Sequence, residues 1–320
     1  MRIAVVGATG RIGAALTRSL LNAGHEVKAL SRGGPSLDAL VKLGAIPWLG
    51  SFDAGTGDFG TFFQDADAAF LMVKTDWNNP HGHYPVVARR FVDALRHSPV
   101  RLAVSLSAMG SDVEGTTGHF KGFHQLDQTL NQLGGVDLVH LRAGWFMENT
   151  LAWTGAVARH GRIGWSLDPE VKSPWVATRD IAELAARELL HPTGEHRVVR
   201  EVGSEDLTMP EVAAMTGKEI GRPVEYRLVD RRRPEVKEAY LARSGTLERW
   251  LDDNQTLDAM NDGRVRFHGE RRPLPTRMET FLRDTWKPRY LRSVADEREP
   301  ETFETWCAKD EQREGRRELE

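Results

Sequence analysis

Arg2-Ile-Ala-Val-Val-Gly7-Ala-Thr-Gly10-Arg-Ile-Gly13 decides the reading of this 320-residue chain. A short β-rich apolar run stops at a glycine, and glycines recur at 7, 10 and 13. Residues 14–23 then carry Leu16, Leu20 and Leu21 at helical intervals, with Gly24 as the stop. In a strand–turn–helix setting each glycine has a role. Gly7 lets the chain turn sharply, Gly10 keeps side chains away from a pyrophosphate, and Gly13 lets helix and sheet pack closely. The unpaired N–H groups and the positive dipole end of the helix hold phosphates. Thr9, Arg11 and Ile12 complete this expected dinucleotide-binding turn.

Outward from the turn, strand patterns at 25–31, 46–49, 68–73, 101–107 and 137–142 alternate with helical patterns near 36–43, 86–96 and 120–133. Such alternation predicts an α/β fold with a doubly wound parallel Rossmann-type sheet. After Trp145 the rhythm changes. Helical patterns cover 146–160 and 181–190, and another starts at Thr208. Candidate strands lie at 197–202 and 222–229, and two or three further helical patterns lie between Pro234 and Trp286. These form a smaller, mainly helical C-terminal lobe. Pro288 is read as the end of the compact fold, leaving a charged tail over 291–320 as a peripheral helix or a disordered segment.

Charge excludes some partners. Lys and Arg number 43 against 46 Asp and Glu, a net charge of -3 that gives no electrostatic footprint for nucleic acid. No apolar run approaches the roughly 20 residues of a membrane span. A strand pattern that begins at Met1 leaves no signal peptide, and the single cysteine, Cys307, excludes a disulfide framework. A cytoplasmic protein acting on a small molecule is expected, with a homodimer left open. The histidines at 81, 83, 119 and 124 lack acidic or thiol partners at recognisable spacing, so no metal is expected.

An NAD-selecting fold places an acidic residue at the end of the second strand. Here that stretch is Leu30-Ser31-Arg32-Gly33-Gly34, with no carboxylate before Asp38. Arg32 offers a planar fork to a 2′-phosphate and Ser31 a hydroxyl, so NADP(H) is the expected cofactor. The plainer reading makes Arg32 a solvated loop arginine. Arg11 either stacks on the adenine or adds charge.

Open α/β sheets bind ligands beyond the carboxyl ends of their strands. That rule nominates Ser51 and Phe52 at the adenine, Met72, Val73 and Lys74 after the fourth strand, Ser105 after the fifth, and Gly144 and Trp145 after the sixth. The polar, aromatic loop 74–84 is read as a lid. Trp77, Phe146, Met147, Trp153 and Trp175 make a flat apolar box for a planar substrate, or else core and lobe-interface residues. The resulting division is a 1–150 NADP(H)-binding domain and a 151–290 substrate lobe, with segments such as 176–200 returning to the first.

These residues resemble the NmrA-like group of atypical short-chain dehydrogenases. The resemblance rests on the glycine turn at 7–13, Leu-Ser-Arg at 30–32, Ser-Leu-Ser-Ala-Met-Gly at 105–110 and Leu-Arg-Ala-Gly-Trp-Phe-Met-Glu-Asn at 141–149. It continues with Trp-Val-Ala-Thr-Arg-Asp-Ile-Ala at 175–182, Leu-Thr-Met-Pro-Glu-Val-Ala at 207–213, Gly-Arg-Pro-Val-Glu-Tyr at 221–226 and Pro-Thr-Arg-Met-Glu-Thr-Phe at 275–281. It implies a Rossmann-type lobe, a smaller second lobe and bound NADP(H). The function it implies is reduction of quinone-like or aromatic substrates, or redox sensing without turnover.

The same resemblance exposes a departure. The wider superfamily pairs a tyrosine with a lysine four residues later, and no Tyr-x-x-x-Lys occurs here. Phe120 stands for the tyrosine and His124 for the lysine, while Ser107 remains. His124, His119 and Ser107 are thus the candidates for proton chemistry. Each histidine is otherwise a local hydrogen-bonding group, His124 a contact to the nicotinamide ribose. The leading expectation is an NADPH-dependent oxidoreductase that transfers hydride to a planar conjugated acceptor. The alternatives are a non-catalytic NADP(H)-binding redox sensor or regulatory protein, and a specialised-metabolism isomerase or cyclase with bound NADP(H).

Overall fold

A computed structural model describes residues 1–115, 117–243, 245–269, 271, 273–295 and 302–309. The chain runs β1 (Arg2–Val6), α1 (Arg11–Asn22), β2 (Glu26–Ser31), α2 (Pro35–Val41), β3 (Ile46–Leu49), α3 (Phe59–Phe63) and β4 (Ala68–Leu71). It continues as α4 (Pro80–Arg96), β5 (Leu102–Ala108), α5 (Phe120–Leu130), β6 (Asp137–Ala143), β7 (Trp145–Phe146), a 3-10 stretch over Met147–Trp153 and α6 (Thr154–His160). Next come β8 (Arg162–Trp165), β9 (Ser173–Val176), α7 (Thr178–Leu190), β10 (Arg197–Val202), β11 (Glu205–Leu207) and α8 (Met209–Ile220). The last elements are β12 (Glu225–Leu228), α9 (Pro234–Arg243), α10 (Leu247–Asn261), α11 (Met278–Phe281), a π-helical turn at Leu282–Trp286, α12 (Lys287–Ala295) and α13 (Phe303–Lys309).

Two compact units divide these elements. The first holds Met1–Gly144, Thr178–Val202 and the described residues of Phe267–Arg272. Its seven strands are all parallel, in the order β10-β6-β5-β4-β1-β2-β3. Strand order reverses at β1, which lies between β2 and β4, and that is where open α/β sheets place their ligands. β4 and β5 are buried along their whole length, as strands covered on both faces should be. On one side, Phe52, Phe62, Phe63 and Phe91 pack beside Tyr84 and Leu126. On α1, Ile12, Leu16 and Leu20 are buried, and Gly24 at φ +83° follows the helix end.

β2 carries a buried cation. Lys28 donates to the Thr61 carbonyl at 3.1 Å, pairs with Asp65 at 2.5 Å and lies 4.6 Å from the Trp48 ring centre. Asp65 also pairs with Arg2, and Asp67 accepts the Arg2 backbone N–H at 2.7 Å. Both aspartates, exposed beside the strand, therefore pin the start of β1.

In the second unit β7 runs parallel to β9, with Trp145 opposite Trp175, and β11 is antiparallel to β9. β8 and β12 form a separate parallel pair. These short strands, apart from β12, were not expected. The helical pattern over 146–160 resolves into β7, a 3-10 stretch and α6. Thr208 and Glu211 form a reciprocal capping box at the start of α8, with Pro210 in its first turn.

Two further expectations need correction. The chain does not leave the fold at Pro288, which lies within α12. In α13, Trp306 and Cys307 are buried in a cluster with Val236, Tyr240 and Trp250. A Cβ on Gly164 would lie 2.8 Å from the Cys307 Cβ, so only glycine lets β8 approach α13 this closely. The rest of the charged tail, 296–301 and 310–320, lies outside the described residues. Loop 74–84 is also shorter than expected. Its last five residues begin α4, capped by the Asn79 side chain, which accepts the Gly82 N–H at 3.0 Å. Tyr84 is fully buried, so this part is framework and not a lid.

Candidate functional site

The glycine turn has the geometry its sequence requires. Gly7 adopts φ +69°, and a Cβ there would lie 2.7 Å from the Met72 sulfur. A Cβ on Gly13 would lie 2.2 Å from the Gly7 carbonyl oxygen, so α1 and the turn touch backbone to backbone. Gly10 caps α1 in extended conformation without a side-chain hydrogen bond, and the first turn holds no acidic residue. The N–H groups of Arg11, Ile12 and Gly13 therefore begin a helix whose positive end has no internal counter-charge.

The end of β2 lies beside this turn. Thr9 Oγ1 and Ser31 Oγ are 3.1 Å apart, and Ser31 Oγ accepts the Gly33 N–H at 3.2 Å. Gly33 and Gly34 both take positive φ, at +95° and +99°, which turns the chain from β2 into α2. Arg32 and Arg11 are exposed, and neither has an ion pair among the described residues. The nearest downstream carboxylate in sequence, Asp38, is in the first turn of α2. Two guanidiniums thus flank an anion-ready helix start with no acid at the β2 end.

Other strand ends are less uniform. Met72 covers Gly7, Lys74 is exposed, and Val73 points into the core. Asp53 Oδ1 accepts the Lys74 N–H at 3.1 Å and lies 3.2 Å from His83 Nε2. Arg90 donates to the Phe52 and Asp53 carbonyls at 2.5 and 3.0 Å, clamping the loop after β3 onto α4. Ser51 Oγ accepts the Ala54 N–H. The Phe52 ring is 1% exposed and stacks on Phe59 at 3.9 Å. It is a core ring and cannot line an adenine site. Ser105 is fully buried, with no accessible side chain to present. Gly144 closes the first unit, its N–H donating to the Val202 carbonyl at 3.0 Å.

The proton-handling candidates lie around α5. Ser107 Oγ donates to Asp127 Oδ2 at 3.0 Å, and Ser111 Oγ donates to the same oxygen at 2.8 Å. His140 Nδ1 lies 3.2 Å from Asp127 Oδ1, and Arg142 Nε lies 3.5 Å from Oδ2. Burial raises the pKa of Asp127, but His140, Ser111 and Ser107 together outweigh it and hold the carboxyl below its usual range. Ser107 is thus a buried hydroxyl whose proton is engaged by Asp127. His124 is half-buried, and its Nδ1 lies 2.8 Å from the Ser111 carbonyl oxygen.

His119 sits at the start of α5 with its ring 4.5 Å from Phe120 and 6.0 Å, edge-on, from Trp77. Burial, then the nearby His81, pushes its pKa down to about 4. An imidazole so placed is uncharged at neutral pH, with one ring nitrogen a donor and the other an acceptor. Phe120 itself is buried, and nothing on its ring replaces a phenol. Sequence reading missed Ser111, His140, Asp53 and Arg90. Their significance lies in contacts 13 to 38 residues apart, which no local pattern reports.

In the second unit the expected aromatic box divides. Met147, Trp153 and Trp175 are buried, and the Trp175 Nε1–H donates to the Leu207 carbonyl at 3.2 Å. With almost no accessible surface, these three are core residues. Trp145 and Phe146 are half-buried, and Trp145 meets Trp165 edge-on at 4.9 Å. Trp77, in the first unit, is half-buried as well.

The profile of the NmrA-like family matches residues 1–258. The chain belongs to the NmrA-like family. Among NmrA-like relatives, the NAD(P)H azoreductase of Xenophilus azovorans is 26% identical over 224 residues, covering 70% of this chain and 76% of the relative. The solved structure of an NADPH-dependent quinone oxidoreductase from Escherichia coli, complexed with NADPH, matches with TM-score 0.73 and 20% identity. It covers 88% of this chain and 98% of that one. NmrA, a negative transcriptional regulator solved with NADP, matches with TM-score 0.69 and 17% identity, covering 91% of this chain and 97% of that one. Its relatives thus include NAD(P)H-dependent reductases, and structural relatives bind NADP(H). Among the described residues no helix is long and apolar enough to cross a membrane.

Proposed function

We propose that this chain is an NADPH-dependent oxidoreductase that passes hydride to a planar conjugated acceptor, quinone-like or aromatic, without a tyrosine–lysine pair. One observation carries the reading: an uncapped helix start behind Gly7, Gly10 and Gly13, flanked by Arg11 and Arg32, with no carboxylate at the β2 end. The residues present fit NADP(H). The N–H groups of Arg11, Ile12 and Gly13 would hold the pyrophosphate, with Thr9 in the turn, and Ser31 and Arg32 would hold the 2′-phosphate. Met72, Lys74, Ser51 and the backbone at Phe52 and Gly144 would border the rest of the dinucleotide. When bound, the nicotinamide supplies a hydride.

The chain's own task is then to orient the acceptor and handle one proton. Trp77, half-buried in the first unit, is the aromatic residue assigned to a flat substrate. His124 keeps a ring nitrogen for proton chemistry, whereas a conjugated acceptor reduced by hydride can also take its proton from water. The names of the relatives, an azoreductase and a quinone oxidoreductase, support this substrate class. Steady-state NADPH consumption against a panel of quinones and azo dyes tests the proposal. Turnover with at least one acceptor is expected, and none with any would overturn it.

One observation favours a second reading. Phe120 in place of the tyrosine and Ser107 engaged by Asp127 remove the usual carbonyl-reducing machinery, which suits an NADP(H)-binding sensor. That reading requires comparable affinity for the oxidised and reduced cofactor and no hydride transfer to any acceptor.

A further inference from the structure

We infer that Asp127 and Ser111 are positioning residues that fix the proton state of His124, an inference that rests on His124 serving the reductase site proposed above. A carbonyl oxygen only accepts hydrogen bonds. The 2.8 Å contact to the Ser111 carbonyl therefore assigns a proton to His124 Nδ1 in both charge states. In the neutral ring Nε2 is then the nitrogen that carries no proton. Imidazole side chains without such a partner are not held to one tautomer, and the hydrogen bond at one nitrogen decides which of the two is protonated.

The Ser111 carbonyl is itself held in place. Ser111 follows β5, and its N–H donates to the Ala108 carbonyl at 3.2 Å. Its hydroxyl donates to Asp127 Oδ2 at 2.8 Å. Asp127 lies three residues beyond His124 on α5, so both side chains project from one helix face toward the same loop. The connection is closed: His124 to Ser111, Ser111 to Asp127, and Asp127 back to His124 through one turn of helix.

Three further groups keep that carboxylate an acceptor. Ser107 donates to Oδ2, His140 lies 3.2 Å from Oδ1, and Arg142 lies 3.5 Å from Oδ2. His140 is itself fixed from its other side, with Nε2 3.0 Å from Asn131 Oδ1. An ionised Asp127 leaves the Ser111 hydroxyl only the donor role, which sets the orientation of the loop. A carboxylate buried for packing alone would not need four polar neighbours, one of them tied to the imidazole that stands in place of a family lysine.

Long-range 1H–15N spectra of the full chain, labelled at histidine and assigned with His124→Gln, read the tautomer directly. In the unmutated chain neutral His124 is expected as the Nδ1–H form. In Asp127→Asn and in Ser111→Ala it should shift toward Nε2–H, with kcat for the best acceptor down about tenfold and NADPH Kd within about twofold. An Nε2–H form in the unmutated chain, or a tautomer unchanged in both variants, would overturn the inference. Ser111→Ala removes one hydroxyl and decides the matter if Asp127→Asn fails to fold. A chain without turnover on any acceptor defeats the reductase reading instead, and the tautomer shift still decides the positioning role.

Discussion

The Thr9 and Ser31 hydroxyls lie 3.1 Å apart and join the glycine turn to the end of β2. Through the Gly33 N–H on Ser31 Oγ, the same contact also sets the turn into α2. The glycine turn and the loop between β2 and α2 are thus one assembly. Thr9→Val removes the hydroxyl and keeps the shape. A neutral hydrogen bond contributes about 0.5–1.5 kcal/mol, so calorimetry should find NADPH and NADH affinity both reduced roughly three- to tenfold, by the same factor.

Arg32→Glu should discriminate where Thr9→Val does not. Hydrogen bonds to charged groups contribute about 1.5–3 kcal/mol, and reversing the charge adds repulsion. NADPH affinity should fall at least about tenfold while NADH affinity changes little. Equal losses in the same titrations would make Arg32 a solvated loop residue.

Stability should fall in two separate acid ranges. His119 has its folded pKa lowered from 6.5 to about 4, so between those values the unfolded chain takes up a proton that the folded chain refuses. That contribution is full above pH 6.5 and lost as pH drops toward 4. Asp127 is also held below its unfolded value, so its contribution is full above about pH 4 and lost only below that. Urea unfolding of His119→Phe should flatten the pH dependence between 6.5 and 4, and that of Asp127→Asn the dependence below it.

Trp306→Ala should destabilise the second unit although it lies 14 residues from the carboxyl end. The ring is buried and lies 6.3 Å from Phe303 in the cluster that holds Tyr240 and Trp250. Truncating a large buried aromatic costs about 3–5 kcal/mol. A denaturation midpoint unchanged from the parent would return α13 to the status of a loose appendage.

The first unit was legible because its signals are local. The run from Arg2 to Gly13 contains a whole strand, turn and helix start, and Gly13 meets Gly7 only six residues before it. α4 was read late because Pro80 and Pro85 both resemble breaks, whereas the Asn79 cap accommodates the first in the helix's opening turn. Trp175 and Met147 looked like pocket walls because an aromatic residue near a strand end reads the same whether it faces ligand or core. The tie of Ser107 to Asp127 was not legible, since Asp127 is 20 residues away and only packing brings them together. The burial of Cys307 depends on Gly164, and no window of sequence holds both.

The sheet of the first unit is completed out of order. β10 pairs with β6 along six positions, from Arg197 opposite Leu138 to Val202 opposite Ala143, yet it is synthesised after the excursion over 145–177. During translation β6 must therefore wait on the ribosome as an open edge until some fifty further residues have emerged. Nascent chains stalled between residues 150 and 190 should be the most dependent on chaperones, and a gene cut at Gly144 should yield a sticky fragment instead of a miniature nucleotide-binding protein.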